Sequence, residues 1–344
     1  MTGLQTSFDV QEITSLEQLQ AVEDDWRELW RNCSAATPFQ SPEWLIPWWR
    51  VLGEGDLHAL TLRIEQRLVA FVPLFVYHDS RAGSRLLLLL GTGNSDYMDA
   101  LVEPGWRDLF QSVFRQLLAN SECHWDVCDL QQLRQESVLL NLPRGTFAEE
   151  VCDGEPCPFL PLSANIEQVR ESLPRNLAGN LAYYSHRAEK AGAVQYVRAS
   201  AENCAVLLDH LVRLESRRWN SSGKWCVLEP EALRRFHYAA APQLVQSGLG
   251  RLYGLSLNQQ IIAVFYGFLC NRRMSCYLGA FDPAFTQLSP GNLLIWHAIE
   301  QAVHEGASEF DFLRGREAYK YRWGAVDRVT FRRRIMRHVQ ELKH

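Results

Sequence analysis

The chain has 344 residues, a formal net charge of −5 and an apolar fraction of 47%. A single hydrophobic core rarely grows beyond about 250–300 residues, so two domains are expected. The acidic balance argues against a protein that binds nucleic acid over its whole surface, and no apolar run reaches the roughly 20 residues of a membrane helix, so no membrane span is predicted.

The N-terminal segment MTGLQTSFDVQEIT lacks a basic stretch followed by an apolar one, so a cytoplasmic location is expected. Nine cysteines, an odd number, indicate reduced core thiols rather than a disulfide framework. Cys123 and Cys128 share their spacing with Cys152 and Cys157, which invites a zinc interpretation. Structural zinc sites usually use tighter pairs and cysteines are commonly buried, so core packing is favoured and no metal is predicted.

The two halves of the chain show the same order of predicted elements. In the first half, three strands precede an amphipathic helix and a fourth strand: HALTLRI, LVAFVPLFV, RLLLLLG, GWRDLFQSVFRQLLAN and WDVCDL. In the second half the corresponding segments are RLYGLSL, IIAVFYGFL, MSCYLGAFD, PGNLLIWHAIEQAVHEG and SEFDFL. A strand meander followed by a crossover helix and a parallel return strand is a specific, right-handed arrangement. The repetition predicts an internal duplication, with domains at residues 1–160 and 161–344.

Between the halves, three prolines in PCPFLPLSANIEQ predict a linker. A helix is predicted after Pro174 and ends at Gly192, and a further helix follows over CAVLLDHLVRLESRRWN. The chain between the two meanders is therefore expected to be mainly helical.

The helix of the second half begins with the distinctive segment LSPGN. Ser289 is a candidate N-cap, Pro290 suits the first helical position, and Gly291 permits close backbone approach. A helix start directly after a buried strand attracts anions, because free N–H groups and the helix dipole point outward. The segment Ser289 to Asn292 therefore predicts a diphosphate cradle.

The C-terminal part of the chain is basic. From Arg314 to His344 there are ten Lys and Arg residues against three acids, including Lys343 near the end. This excess would attract the phosphates of a cofactor or of RNA. The segment RVTFRRRIMRHV also alternates partly with period two, as a solvated terminal strand would, and charge alone leaves both interpretations open.

The segment DFLRGREAYKYRWGA, Asp311–Ala325, concentrates aromatic residues, cations and glycines. With LSPGNLLIWHAI, GNSDYMD at Gly93–Asp99 and TPFQSPEWLIPWW at Thr37–Trp49, it resembles the CelD-like acetyltransferase family of the GNAT superfamily, which is related to the FemAB peptidyltransferases. The resemblance implies an α+β (mixed α/β) fold of two tandem GNAT-like domains, each a mixed, mostly antiparallel sheet with helices on its faces. It also implies acyl transfer from acetyl-CoA or another acyl-CoA to an amine or sugar, in cell-envelope or exopolysaccharide metabolism.

Attack by an amine on a thioester needs donors for the developing oxyanion and a proton for the leaving thiolate. In a GNAT-like sheet, backbone N–H groups around Leu278 to Ala280, with Leu278 and Gly279 as the cofactor contacts, would serve the acyl oxygen. A tyrosine is the usual acid, so Tyr319 or Tyr321 is a candidate. Packing of both tyrosines as an aromatic wall is an equal alternative.

The remaining residues of the Asp311–Ala325 segment are expected to build one wall of the cleft. Lys320 and Arg314 are candidate clamps for phosphate or carboxylate, with Lys320 also a candidate catalytic residue. Asp311 is expected to hold a turn or orient an arginine beside the substrate, and Gly315 to allow a turn with positive φ. Trp323 is expected mainly as a packing anchor of this wall.

The SDYMD segment of the first half offers a candidate base. Asp96 is the candidate, with Tyr97 and Asp99 as substrate contacts, all expected to face a cleft between the domains because ligand sites prefer such interfaces. A loop cap is the alternative role for these aspartates.

Two other functions stay open because the usual GNAT phosphate loop, with an arginine and closely spaced glycines, is missing. One is an aminoacyl-tRNA-dependent transferase of the FemAB type, which would bind RNA with a steep salt dependence. The other is a catalytically silent GNAT-like scaffold. The expected acceptor is a small molecule, saccharide or peptide, nucleic acid is expected only under the tRNA alternative, and the oligomeric state leaves no readable pattern.

Overall fold

The structure, a computed structural model, describes residues 7–120, 124–220 and 227–337. Cys123 of the zinc interpretation and Lys343 of the basic segment lie outside the described residues. The chain forms two compact units. Unit 1 comprises the described residues up to Glu155 and those from Val329 onward, and unit 2 spans Pro156–Arg328.

The secondary structure is mixed throughout. The strands are β1 Phe8–Ile13, β2 Asp56–Leu57, β3 Ala59–Ile64, β4 Arg67–Val72, β5 Leu74–Asp79, β6 Ser84–Leu89, β7 Leu101–Val102, β8 Val127–Leu133, β9 Ala148–Asp153, β10 Cys157–Pro161, β11 Val194–Arg198, β12 Gly250–Leu257, β13 Gln260–Cys270, β14 Arg273–Phe281, β15 Glu309–Asp311, β16 Val326–Arg328 and β17 Phe331–Met336. The helices are α1 Leu16–Ala21, α2 Glu23–Asn32, α3 Pro42–Leu52, α4 Arg107–Ala119, α5 Ile166–Ser172, α6 Arg175–Ala191, α7 Cys204–Asn220, α8 Glu231–Gln246, α9 Pro290–His304 and α10 Ala318–Tyr321. A 3-10 helix, Pro283–Leu288, precedes α9. Among the helices that the structure describes, none combines the length and apolar character needed to traverse a bilayer.

Unit 1 contains two sheets, with strand orders β1-β3-β4-β7 and β2-β5-β6-β8-β17-β9. Strands β6 and β8 are parallel, as the predicted crossover through α4 requires. The segment LVAFVPLFV, predicted as one strand, is two strands in different sheets. Pro73 lies at the break, because a residue without an N–H cannot continue the ladder.

Unit 2 has one sheet of order β11-β12-β13-β14-β15-β10-β16, in which only the β14–β15 pairing is parallel among the described strands. The predicted meander, crossover helix and return strand are confirmed as β12, β13, β14, α9 and β15. Side chains alternate along β13 between the two faces of the sheet, and each face is covered by helices. Phe265 shares a core cluster with Leu294 of α9, whereas the ring centroid of Tyr266 lies 5.7 Å from that of His237 of α8.

Residues 157–161, predicted as part of a linker, form β10 between β15 and β16. The linker prediction is wrong here because a proline still offers its carbonyl to a ladder: the Pro158 oxygen accepts from the Phe312 N–H at 2.9 Å. In the sequence, the boundary between the two units therefore lies between residues 155 and 156, instead of the predicted 160 and 161.

The C-terminal strand does not remain with unit 2, which departs from the predicted domain 161–344. Strand β17 pairs with β8 on one side and β9 on the other, inside the larger sheet of unit 1. Its Arg333 is only 2% exposed and donates to the carbonyls of Leu139, Leu140 and Leu142 and to the carboxylate of Glu149. Thus this part of the basic segment is structural, since its charge is satisfied within the unit.

We expect Arg333→Met to lower the free energy of unfolding of unit 1 by about 3–5 kcal/mol, because it leaves a buried carboxylate and three carbonyls without their donor. The neighbouring Arg334→Met is the control. Its side chain is 36% exposed and lies 3.9 Å from Glu150, so the loss should be about 0–1 kcal/mol. Urea unfolding followed by tryptophan fluorescence measures both, and equal losses would contradict a buried structural role for Arg333.

Candidate functional site

A cleft opens in unit 2 where two parallel strands separate. Strand β14 pairs with β15 through three residue pairs only, from Arg273 to Ser275, within the described chain. Beyond Ser275, β14 continues to Phe281 paired with β13 alone. One edge of the second half of β14 is therefore free, and backbone groups that point to it are left for solvent or a ligand.

A cluster of two acids and two arginines holds the short β14–β15 contact. Asp311 is fully buried and accepts from Arg328 at 2.7 Å, and Arg328 also donates to Glu309 at 2.7 Å. Arg273 donates to Glu309 as well. Although burial opposes ionisation, Arg273 and Arg328 hold the pKa of Glu309 below its ordinary value. Asp311 thus orients an arginine inside the sheet, and a contact with substrate stays a prediction.

A β-bulge at Tyr277 lies at the start of the free edge. Leu278 is opposite Tyr266, but the next pair along the ladder joins Cys276 to Gly267. Tyr277 is therefore the additional residue on β14. A bulge bends its strand and increases the local twist, which suits the point where β14 departs from β15.

The pairing pattern decides which amides face the cleft. The Asp282 N–H donates to the Ile262 carbonyl at 2.8 Å. Because hydrogen-bonded pairs alternate along an antiparallel ladder, Leu278 and Ala280 also bond to β13, whereas the N–H of Gly279 points to the free edge. Of the predicted oxyanion donors, Leu278 to Ala280, Gly279 is the one that presents its amide to the cleft.

The free edge borders a cavity of about 360 Å³. The predicted cradle forms another wall through the first turn of α9, and Tyr319 and Arg322 contribute from α10 and its end. The lining residues that bear on chemistry are Cys276, Tyr277, Leu278, Gly279, Phe281, Thr286, Ser289, Pro290, Gly291, Asn292, Tyr319 and Arg322. The cavity therefore unites all the predicted cofactor-binding residues with one predicted catalytic tyrosine.

The start of α9 differs in detail from the prediction. Ser289 precedes the helix in the left-handed region, at φ 50° and ψ 48°, and makes no side-chain cap. Instead its Oγ accepts from the side-chain amide of Asn292 at 2.9 Å. Pro290 has no N–H, so Gly291 supplies the first N–H of the helix. A Cβ on Gly291 would lie 3.1 Å from the ring of Phe281, so a side chain at this position would have to displace that ring.

Lys320 holds a loop rather than offering its charge to a ligand. It is 3% exposed, and its Nζ donates to the carbonyls of Leu313 at 3.0 Å, Arg314 at 2.6 Å and Gly315 at 3.2 Å. It also lies 2.9 Å from the Glu317 carboxylate. An ammonium has three donors, and the loop uses them, which departs from the predicted clamp and catalytic roles.

That loop brings the chain into α10 through two residues with positive φ. Leu313 has φ 56° and Gly315 has φ 109°. The turn expected at Gly315 is present, and a Cβ there would lie 2.6 Å from a Glu317 oxygen. The helix that follows carries Tyr319, with Arg322 at its end, to the cavity.

The other predicted members of this segment lie elsewhere. Trp323 is fully buried in the core of unit 2, as expected of a packing anchor. Arg314 is half-buried and is not among the residues that line the cavity. Tyr321 is exposed and its hydroxyl donates to Asp327 at 2.8 Å, and of the two candidate tyrosines only Tyr319 lines the cavity.

Arg322 is a residue that the sequence analysis does not single out. Its guanidinium-bearing side chain is exposed and lines the cavity. A usable signal was present, because Arg322 follows Tyr319 by three residues, a spacing that places two side chains on one face of a helix.

The predicted residues of the first half belong to unit 1, in the loop between β6 and β7. The tryptophans of α3 fix this loop: Trp44 Nε1 donates to Ser95 Oγ at 2.8 Å, and Trp48 Nε1 donates to Asn94 Oδ1 at 3.0 Å. The segments TPFQSPEW and GNSDYMD, far apart in sequence, are thus in contact. Asp96 is buried in this loop, and its role as a base stays a prediction.

Tyr97 and Asp99 have structural contacts in place of the predicted substrate contacts. Tyr97 is 1% exposed. The Asp99 carboxylate accepts from the backbone N–H groups of Ala100 at 2.9 Å, Val138 at 3.0 Å and Leu139 at 3.2 Å. Burial raises the pKa of Asp99 to about 6, against the opposing effect of these hydrogen bonds. Asp99 is therefore the loop cap that the sequence analysis names as the alternative.

The described ranges contain no group of three or more His, Cys, Asp or Glu residues that could hold a metal ion.

We expect Lys320→Met to lower the free energy of unfolding of unit 2 by about 3–5 kcal/mol, because the carbonyls of three residues lose their buried partner. Arg322→Met, at an exposed position of the same segment, should change it by less than about 0.5 kcal/mol. Thermal and urea unfolding compare the two variants. Wild-type stability in Lys320→Met would show that the ammonium does not hold the loop and would return it to a ligand-binding role.

Three solved structures share this fold across nearly the whole chain. FemX aligns with 94% of this chain and 96% of its own, at 10% identity and a TM-score of 0.68. A conserved protein of unknown function from Bacteroides thetaiotaomicron aligns with 96% and 100%, at 12% identity and a TM-score of 0.58. The C-terminal domain of a protein described as a lysylphosphatidylglycerol synthetase, from Agrobacterium fabrum, aligns with 92% and 91%, at 10% identity and a TM-score of 0.56. At these identities the similarity establishes the fold alone.

No protein with a curated function matches the chain significantly by sequence. Residues 175–321 match the family profile Acetyltransf_6, described as an acetyltransferase (GNAT) domain. The matched range contains β14, the start of α9 and α10, which are the elements that form the cavity. The chain is thus a mixed α/β protein of the tandem GNAT-like fold, and residues 175–321 of its second unit match a GNAT acetyltransferase domain.

Proposed function

We propose that the protein is an acyl-CoA-dependent acyltransferase that moves an acyl group to an amine or sugar acceptor. One observation carries the proposal: the free N–H of Gly279, the first turn of α9 and Tyr319 all border one cavity. Acyl transfer from a thioester needs a donor for the oxyanion, a site for the phosphates of the carrier and a proton for the leaving group. The cavity offers a group of each kind.

Different groups of the cavity have the roles of oxyanion donor, phosphate contact and acid. The Gly279 N–H is available to the acyl oxygen, because β13 does not use it. The Gly291 N–H and the Arg322 guanidinium suit phosphate oxygens, and coenzyme A supplies the activated thioester. A neutral amine attacks the acyl carbon, so a C–N bond forms, the C–S bond breaks, and the proton lost by the amine passes to water. Tyr319 holds the proton that the leaving sulfur takes.

Direct attack by the acceptor is favoured over a cysteine intermediate. Cys276 also lines the cavity, but burial raises the pKa of its thiol to about 12. Since the thiolate is the nucleophilic form, this side chain stays protonated and inert near neutral pH.

We place this activity in the cytoplasm, in cell-envelope or exopolysaccharide metabolism. The support is the resemblance of Asp311–Gly324 and its companion motifs to the CelD-like acetyltransferases, together with the GNAT match over residues 175–321. A small-molecule, saccharide or peptide acceptor is compatible with this proposal.

An aminoacyl-tRNA-dependent transferase of the FemAB type is the second candidate. It is favoured by the fold similarity to FemX, which extends over 94% of the chain and so includes both units. Under this candidate the same amide of Gly279 would serve an aminoacyl ester in place of a thioester. A silent scaffold has less support, because it would not require a free amide, a helix start and a phenol around one cavity.

Acetyl-CoA titration by calorimetry tests the donor. The wild type should bind in the micromolar range, and Gly291→Trp should weaken binding at least about tenfold by filling the wall at the start of α9. Gly179→Trp is the control, because a Cβ at this exposed helix position meets no atom within 4 Å and Gly179 lies outside the cavity.

Absence of acetyl-CoA binding to the wild type would overturn the coenzyme A proposal. Binding of aminoacyl-tRNA with a steep salt dependence, together with that absence, would support the second candidate.

Tyr319→Phe should lower turnover about 100-fold or more in an amine-acceptor screen with acetyl-CoA, because it removes the proposed acid. Tyr183→Phe, a change at an exposed tyrosine of α6 outside the cavity, should leave turnover within about twofold. Both variants should unfold near the wild-type temperature. Equal activity of the two variants would contradict the assignment of Tyr319.

A further inference from the structure

A second concavity adjoins the cavity within unit 2. This groove has a volume of about 580 Å³ and is formed by α6, by the segment that leads into α9, and by the end of α10. Thr286, Ser289, Asn292 and Arg322 line both the groove and the cavity. A ligand in the groove therefore reaches the rim of the cavity that holds Gly279 and Tyr319.

One wall of the groove is a polar stripe on α6. Asn176, Asn180 and Tyr184 follow one another at intervals of four residues, which places them on one face of the helix, and all three line the groove. Within the described part of the chain, the carboxamides of Asn176 and Asn180 make no hydrogen bond. Each carboxamide offers two donors and an oxygen acceptor, so the stripe presents unused hydrogen-bonding groups of both kinds.

Apart from this stripe and the rim shared with the cavity, the surface of the groove is apolar or aromatic. Pro174, Leu177 and Leu181 contribute apolar area, and Tyr321 adds a second phenol ring to that of Tyr184. Among the described residues that line the groove, Arg322 alone is charged, and it lies on the shared rim. The groove therefore has no carboxylate for a basic peptide and too few cations for a nucleic acid backbone.

This combination selects a chemical class of ligand. Carboxamides can donate to and accept from neighbouring hydroxyl groups, and tyrosine rings cover C–H surfaces while their own hydroxyls remain polar. Few polar groups set against apolar walls are the usual composition of a small-molecule site. A neutral, hydroxyl-rich molecule satisfies the amides without demanding a charge that the groove lacks.

We propose that this groove binds the acceptor, and that the acceptor is a saccharide. The shared rim would present one amine or hydroxyl of the bound sugar to the end of the cavity where Gly279 and Tyr319 lie. The direction of the transfer rests on the proposed acyltransferase function, whereas binding of the sugar in the groove does not depend on it.

The test titrates two kinds of ligand separately into the same proteins. One is a panel of neutral trisaccharides built from glucose, galactose, mannose or N-acetylglucosamine, and the other is coenzyme A. Asn176→Ala and Asn180→Ala should each weaken the best trisaccharide about fivefold to tenfold, the loss of one or two neutral hydrogen bonds. Coenzyme A binding should stay within about twofold of the wild type. His186→Ala, an exposed change on α6 outside the groove, should alter neither.

Three results would overturn the proposal. The first is that no trisaccharide binds the wild type at millimolar concentration. The second is that the asparagine variants weaken coenzyme A and leave the sugars unchanged, which would make the groove part of the donor site. The third is that trilysine binds in the groove and loses affinity in the same variants.

Failure of the proposed function is distinguishable from failure of the groove assignment. Sugar binding that depends on Asn176 and Asn180, without any coenzyme A binding, would support the groove and remove the donor. Coenzyme A binding without sugar binding would support the donor and remove the groove assignment.

Discussion

The separation of β14 from β15 is the constraint on which the site depends. A parallel neighbour along the whole of β14 would take up the outward-facing amide of Gly279, as a buried backbone group requires. The buried acids and arginines, with Arg328 bridging Asp311 and Glu309, instead fix the contact at its first three pairs. Past that point the strand keeps its ladder with β13 and leaves the other edge open. The same separation makes room for the cavity at the start of α9, so a buried charge cluster outside the cavity helps to determine where the cavity lies.

The segment Asp311–Ala325 divides its residues between support and surface. A buried ammonium is tolerated only where hydrogen bonds compensate its lost hydration, and three loop carbonyls do this for Lys320. Trp323 closes the core beneath the same turn. Tyr319 and Arg322, on the other side of the turn, are left for the cavity. The stretch is rich in aromatic and cationic residues because it contains two groups of side chains with different roles. One group supports the loop and the core, and the other lines the cavity.

Much of unit 2 could be predicted because its signals are local. The strands of the meander, the turn at Gly315 and the start of α9 at Pro290 follow from alternation, glycine and proline within a few residues. Strand β10 and the place of β17 could not be predicted, because their partners are remote in sequence and alternation does not say which strand pairs with which. The role of Lys320 was missed for a related reason: flanking tyrosines suggest a ligand site, while the carbonyls that bind it become visible only when the loop is folded. In unit 1, the polar groups of Tyr97 and Asp99 suit substrate binding and a structural role equally well when only the sequence is known. Their burial in the folded loop indicates the structural role.

The place of β17 has a consequence for the order in which the chain folds. Its pairing with both β8 and β9 means that the larger sheet of unit 1 lacks an interior strand until the last part of the chain is available. During synthesis on a ribosome, all of unit 2 emerges before β17 does. Unit 2 therefore has all its strands and helices available before unit 1, although it begins later in the sequence. Unit 1 meanwhile holds β8 and β9 with an unfilled position between them, a state in which exposed strand edges favour association with other chains. Completion of the N-terminal unit is thus a late, long-range event, and folding of the protein does not proceed simply from its first residue to its last.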